Sequence, residues 1–363
     1  MLTSPVHHFK KLDWMLIVSA FLLFLIGLLS IYSSSLGKSD FTNFQKQLIF
    51  GILGIILMFS LSFYNWRVMK DSPYLILTLY FIGLLALVGL YFFAPEIRGV
   101  KKWYQLGPIS VDPAEFLKIV LIMLFAKYFS TKHIEMYRIR HIALSGIYVA
   151  LPALLLFFQP DLGTVLILMG LWVGILLISG IKLRHFLILA LLGVIMFVFA
   201  WSFLMQDYQK ARVISFFEPK DPLGSAWSAT QAKIAIGSGG VLGKGFGSGS
   251  QTQLGFLPEP QTDFVFAAIA EEFGLVGVAV LLFLFSILLW RIIKIALAAT
   301  SNFPRLFASG FAILLIFKVF INIGMNIGIL PIIGIPLPLV SYGGSSLIAT
   351  FIGLGILQSL KTN

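Results

Sequence analysis

The chain of 363 residues contains no cysteine, which excludes disulfides, thiolate catalysis and cysteine-held metals. It is also poor in charge. Asp, Glu, Lys and Arg make up 11% of it, against about 25% in soluble domains. There is no Walker motif: around Lys244 the GxxxxGK[ST] pattern would need Gly at 238 and Ser or Thr at 245, where Ser238 and Gly245 stand. That argues against ATP hydrolysis and a nucleotide cofactor. No GxSxG elbow marks a serine hydrolase.

What the chain has in abundance is apolar length. It is 59% hydrophobic with a mean hydropathy of +0.97. A bilayer core of roughly 30 Å needs about 20 apolar residues per helix. About ten such runs fall near 13–33, 46–64, 73–94, 113–130, 142–158, 161–180, 184–205, 263–290, 305–329 and 341–360. Their unalternating character predicts helices rather than a barrel. The first run lacks a small-residue cleavage site and reads as a span, not a signal peptide. The expected fold is an all-α polytopic membrane protein with about ten transmembrane helices, forming one integral membrane domain over residues 1–363.

Basic residues beside the spans set the orientation. With the N-terminus cytoplasmic, Lys10, Lys11, Arg67, Lys70, Lys127, Lys132, Arg138, Arg140, Lys182, Arg184, Arg291, Lys294, Arg305 and Lys361 fall inside, leaving Lys38, Lys46, Arg98, Lys101 and Lys102 outside. The C-terminus is then cytoplasmic too. The net charge of +11 is chiefly a topology signal, because its residues are spread over many loops and form no single face for nucleic acid. His7, His8, His133, His141 and His185 all lie on the cytoplasmic side of this topology. The outer face therefore has no imidazole, and a carboxylate is the proton acceptor available there.

One outer segment, about 206–262, is long and ends in "GSGGVLGKGFGSGSQTQLG". Loops of this length are functional or disordered, and a flexible linker is the plain alternative. "ATQAKIAIGSGG" has helix-compatible spacing, and Lys233 and Lys244 sit among glycines whose backbone can approach an anion.

Charge in hydrocarbon costs at least about 2.5 kcal/mol per residue, so polar groups at the spans are functional candidates. "VDPAEFLK" puts Glu115 and Lys118 three residues apart on one helix face. Asp112, Pro113 and Glu115 also fit an N-terminal cap. Asp161 in "QPDLGT" and Asp263 in "QTDF" stand at two further helix starts, where capping by Asp161, and by Thr262 or Asp263, is the structural alternative. In the topology above, Glu115, Asp161 and Asp263 all reach the outer face, each beside a helix N-terminus suited to an anion. Glu271 and Glu272 lie about 12–14 Å deeper than Asp263 along a helix. Lys318, otherwise an unpaired buried cation, is a candidate partner for them. "GIPLPLVSYGGSS", residues 334–346, predicts broken helix from Pro336 and Pro338, with Gly343 and Gly344 allowing close backbone approach.

Six stretches, "RGVKKWYQLGPISVDPAEFLK", "QPDLGT", "YQKARVISFFEPKDPLG", "QAKIAIGSGGVLGKG", "LPEPQTDFVFAAIAEEFGLVG" and "GIPLPLVSYGGSS", resemble in order the SEDS family of cell-wall polymerases (RodA, FtsW and SpoVE), the RodA type most. The resemblance implies a peptidoglycan glycosyltransferase of the bacterial inner membrane that polymerises lipid II at the outer face for elongation and rod shape. By the same resemblance Asp263 is the general base, and Glu115, Lys118, Asp161, Trp103, Lys233 and Lys244 bind substrate or support the site. Trp103 fits an interfacial belt residue equally well. The implied partners are lipid II, a class B penicillin-binding protein, other elongation-complex membrane proteins and membrane lipids, with a divalent cation, Mg or Mn, at the diphosphate. A lipid II flippase and a division-type, FtsW-like polymerase are the alternative readings.

Overall fold

The computed structural model describes residues 5–37, 39–72, 74–96, 100–132, 139–218 and 225–362. Lys38, Arg98, His133 and Arg138, used above for orientation, lie outside the described residues. The short α1 (Pro5–Lys11) leads into α2 (Trp14–Leu36) and α3 (Thr42–Ser62). After the short α4 (Trp66–Asp71) comes α5 (Leu75–Phe93), then an antiparallel hairpin of β1 (Tyr104–Leu106) and β2 (Ile109–Val111), with Tyr104 opposite Val111. Next come α6 (Pro113–Lys132), α7 (Ile139–Phe158), α8 (Leu162–Ile178) and α9 (Leu183–Phe199), which runs into a π turn at Ala200–Leu204. Three helices fill the long segment: α10 (Asp207–Phe217), α11 (Ser225–Gly239) and α12 (Ser250–Gln253). The chain closes with α13 (Val265–Ala298), α14 (Asn302–Ile327) and α15 (Gly344–Thr362).

Each apolar run is matched by a helix, and among the described residues eight are long and apolar enough to cross a membrane. The other two are α8, apolar but only 17 residues long, and α6, whose 20 residues include Glu115, Lys118, Lys127 and Lys132. Both pack against α14, α6 also on α5 and α8 also on α7. They form the centre of one large apolar core with Phe125, Leu171, Phe307 and Phe311. By contrast, α9 buries none of its residues, as suits a helix apolar all round and surrounded by lipid.

Two interruptions place the site. Gly274, at φ +64°, breaks α13. The carbonyls freed below the break accept from Lys244 N (3.0 Å to Glu271 O) and Gly245 N (3.0 Å to Glu272 O). Above it, Leu275 N and Val276 N donate to Gly240 O and Val241 O at 3.0 and 3.1 Å. The glycine-rich stretch is thus stitched into the helix break and is not a flexible linker. The second interruption follows α14, which ends at left-handed Gly328. Residues 331–343 run without helix up to α15, as the two prolines predict. Asn322 donates to Ile335 O (2.8 Å), and Leu337 N to Ser341 Oγ (2.9 Å), so the irregular backbone is satisfied inside the protein.

Candidate active site

Pro113 starts α6, and Asp112 caps it, accepting from Ala114 N at 2.9 Å. Glu115 plays no part in that cap. Its two oxygens take two ammonium groups, Lys118 Nζ at 2.8 Å and Lys318 Nζ of α14 at 2.7 Å. Lys318 also donates to Ser346 Oγ at 2.9 Å. Glu115, Lys118 and Lys318 are 6%, 1% and 2% exposed, so each charge depends on its partner. The expected pairing of Lys318 with Glu271 or Glu272 does not occur. Glu271 instead receives Lys244 Nζ (3.0 Å), Gln251 N (2.8 Å) and Thr252 N (3.1 Å), holding the start of α12, and Glu272 receives Ser33 Oγ and Gln253 Nε2. Lys318 lies on the α14 face turned to α6, which separates it from these acids.

Lys102, on the chain entering the hairpin, joins two more acids to the cluster. Its Nζ is 2.8 Å from Asp161 and 3.5 Å from Asp112. Asp161 caps α8 through Thr164 N (3.2 Å) and also accepts from Thr164 Oγ (2.7 Å), so the capping and charge-pairing readings both hold for it. Burial alone would lower the Lys102 pKa, but Asp161 and Asp112 outweigh it and hold the ammonium well above the ordinary lysine value. For Asp112 burial prevails over the nearby Lys102, and its carboxyl is raised. Three carboxylates (Asp112, Glu115, Asp161) therefore face three ammonium groups (Lys102, Lys118, Lys318) in one charge-balanced cluster.

Asp263 stands in the turn before α13 and is half-buried. It does not cap that helix: the cap position is Phe264 with no side-chain bond, and Asn326 Oδ1 takes Ala267 N at 3.2 Å. Thr262 does not cap it either. Instead the backbone around Asp263 is clamped at three consecutive carbonyls. Tyr342 N donates to Gln261 O (2.7 Å), Ser341 Oγ to Thr262 O (2.5 Å), and Asn322 and Asn326 to Asp263 O (3.1 and 3.0 Å). A Cβ on Gly334 would lie 3.5 Å from Asp263 Oδ2, so a bare backbone borders the carboxylate. Lys318 and Asn322 are one turn apart on α14, about 6 Å along its axis. One helix face thus holds Glu115 with one residue and the Asp263 peptide with the next.

Of the other expected residues, Trp103 adjoins the cluster, its ring centroid 6.0 Å from Lys102 Nζ. Lys233 lies on the exposed face of α11, over Gly328. Lys244 is engaged with Glu271, apart from the cluster. Sequence reasoning missed Lys102, Asn322, Asn326, Ser341, Tyr342 and Ser346 as site residues. Lys318, Asn322 and Asn326 recur at four-residue spacing in an apolar run, a polar stripe that marks such a face. Among the described residues His8 bonds Ser62 and His141 bonds Tyr128, and no group of three or more His, Asp or Glu is arranged to hold a metal ion by itself. Within the cluster Asp112, Glu115 and Asp161 are matched by lysines.

The cell cycle protein family FtsW/RodA/SpoVE matches residues 13–363. The chain belongs to this family. It is 38% identical to the peptidoglycan glycosyltransferase MrdB of Escherichia coli over 348 residues, covering 94% of this chain and 92% of that one. A solved peptidoglycan synthase complex, described as coordinating polymerization and crosslinking, has a chain of the same fold with TM-score 0.83 and 32% identity, covering 96% of this chain and 97% of its own. The crystal structure of the rod shape determining protein RodA of Thermus thermophilus is similar at TM-score 0.72 and 31% identity, covering 96% of each chain. In this FtsW/RodA/SpoVE member the charged cluster and the clamped Asp263 are the two features that need a chemical account.

Proposed function

We propose that this multi-pass membrane protein is a peptidoglycan glycosyltransferase of the elongation type that joins lipid II units at the outer face of the cytoplasmic membrane. The observation that carries the reading is the clamping of the Gln261–Asp263 backbone by Tyr342, Ser341, Asn322 and Asn326 beside a cluster whose charges cancel. The backbone that carries this carboxylate is thereby preorganised.

The reaction is a single displacement. Asp263 removes the proton from the 4-hydroxyl of a GlcNAc, whose oxygen bonds to the anomeric carbon of a MurNAc. The bond from that carbon to the diphosphate breaks, and undecaprenyl diphosphate leaves with the electron pair. The α donor linkage becomes a β-1,4 bond, and one base suffices. Glu115 and Lys118 order the site through their buried pair, to which Lys318 adds a second ammonium on Glu115. Asp161 and Lys102 tie the hairpin to α8 and hold the adjacent Trp103 where it can face a sugar. A class B penicillin-binding protein is the proposed partner, by analogy with the solved synthase complex.

The test uses purified protein with labelled lipid II. Glycan strands sensitive to a muramidase are expected; movement of lipid II across vesicles with no strands formed would replace the polymerase by a flippase.

A further inference from the structure

The lysines of the cluster are each matched by an acid, so they leave the charge of a departing diphosphate unmet. A second group of cations lies close by. A small cavity of about 70 Å³ opens between α10, α11 and the chain after α14, lined by Arg212, Ser215, Thr230, Lys233, Gly328 and Ile332 among others, with no carboxylate in its described lining. A buried water needs about 10–15 Å³ of such space, so the cavity has room for a phosphate group. Ser215 and Thr230 spend their hydroxyl hydrogens on Arg212 O and Ala226 O, leaving Arg212 and Lys233 to recognise an occupant. Arg212 is steadied by the ring of Tyr208, 5.8 Å from its guanidinium carbon. Lys233 lies along Gly328, whose missing side chain makes the room: a Cβ there would meet Lys233 Cδ at 3.2 Å and Nζ at 3.5 Å.

The cavity is tied to Asp263 in two ways. Ile332 in its wall is two residues from Gly334, at most about 7 Å of chain, and Gly334 borders the Asp263 carboxylate. On the other side α11 packs Ala232 and Ala235 into a cluster with Phe264, Ala267 and Ala268 at the start of α13.

We infer that Arg212 and Lys233 form the subsite for the diphosphate of an isoprenoid-linked substrate. Two cations that face no carboxylate among the described lining residues give the leaving group hydrogen-bond donors and charge where the breaking bond puts electrons. This assignment rests on the glycosyltransferase reading, but its test does not require turnover.

The probe is a labelled C15 isoprenyl diphosphate, bound to full-length Asp263→Asn protein in nanodiscs of neutral phosphatidylcholine. Adding Arg212→Ala and Lys233→Ala together is expected to weaken binding about tenfold or more, whereas Arg212→Lys with Lys233→Arg retains most of it. Equal binding by the doubly truncated protein, at an unchanged melting temperature, would overturn the assignment. Nanodiscs containing phosphatidylglycerol separate the two sources of phosphate. Displacement of the probe by that lipid, dependent on Arg212 and Lys233, would assign the site to phospholipid headgroups and also overturn it. If Asp263→Asn protein polymerised lipid II normally, the base would be wrong while the binding result stood.

Discussion

Glu115 answers two buried ammonium groups at once, so its replacement by Gln strands both. Breaking a buried pair costs about 3–5 kcal/mol. Glu115→Gln is therefore expected to lower the melting temperature sharply in detergent, and Lys318→Met added to it should restore part of the loss. Lys102 and Asp112 are expected to behave oppositely. The Lys102 pKa is raised above its ordinary 10.5, so its stabilisation is fully present below that pH and is lost only as pH rises through the higher folded value. Thermal melts of wild type should show no loss from this bridge between pH 6 and 9, while Lys102→Met should cost about 2–3 kcal/mol across that range, less than a fully sealed pair because the side chain is partly exposed. The Asp112 pKa is raised above 3.8, so its ionised form is disfavoured on folding as pH rises through that window. Asn also caps helices, and Asp112→Asn should melt at or above the wild-type temperature at pH 7. At this scale the Glu115–Lys118 pair was legible from three-residue spacing. The third member was not, because spacing along α6 says nothing about which helix packs against it.

Helices were the most legible elements, since hydropathy and length alone locate them. The break in α13 was hidden by the same apolar pattern, because Gly274 within a hydrophobic run reads as ordinary packing. Its consequence is a close backbone crossing: a Cβ on Gly243 would lie 2.1 Å from Glu272 O, and Gly243 has φ +81°. Gly243→Ala should therefore destabilise the protein and release the 240–249 stretch, seen as new sites of limited proteolysis. Gly237, on the exposed face of α11 with nothing within 4 Å of its Cβ position, is the control. Gly237→Ala should leave stability unchanged or raise it by about 0.5–1 kcal/mol. Glu271 and Glu272 belong to this element. Their bonds to Lys244, the start of α12 and Ser33 make them braces of the crossing, where depth along the helix had left their role open.

For the whole molecule, composition was enough to give an α-helical membrane protein, while the meeting of α6, α8, α14 and the hairpin depended on contacts between distant residues, such as Lys102 with Asp161 and Glu115 with Lys318, 203 positions apart. Orientation rests on the distribution of Lys and Arg, and the absence of cysteine makes it easy to check. Ser248→Cys, in the glycine-rich stretch, should react with a membrane-impermeant maleimide on intact spheroplasts, and Lys10→Cys only after permeabilisation; the reverse pattern would put the site on the cytosolic side. The most direct measurement is the rate of lipid II polymerisation by purified Asp263→Asn protein that melts like wild type. The account expects a fall of about 10²- to 10⁴-fold, the usual contribution of a general base, and a near-native rate would contradict it.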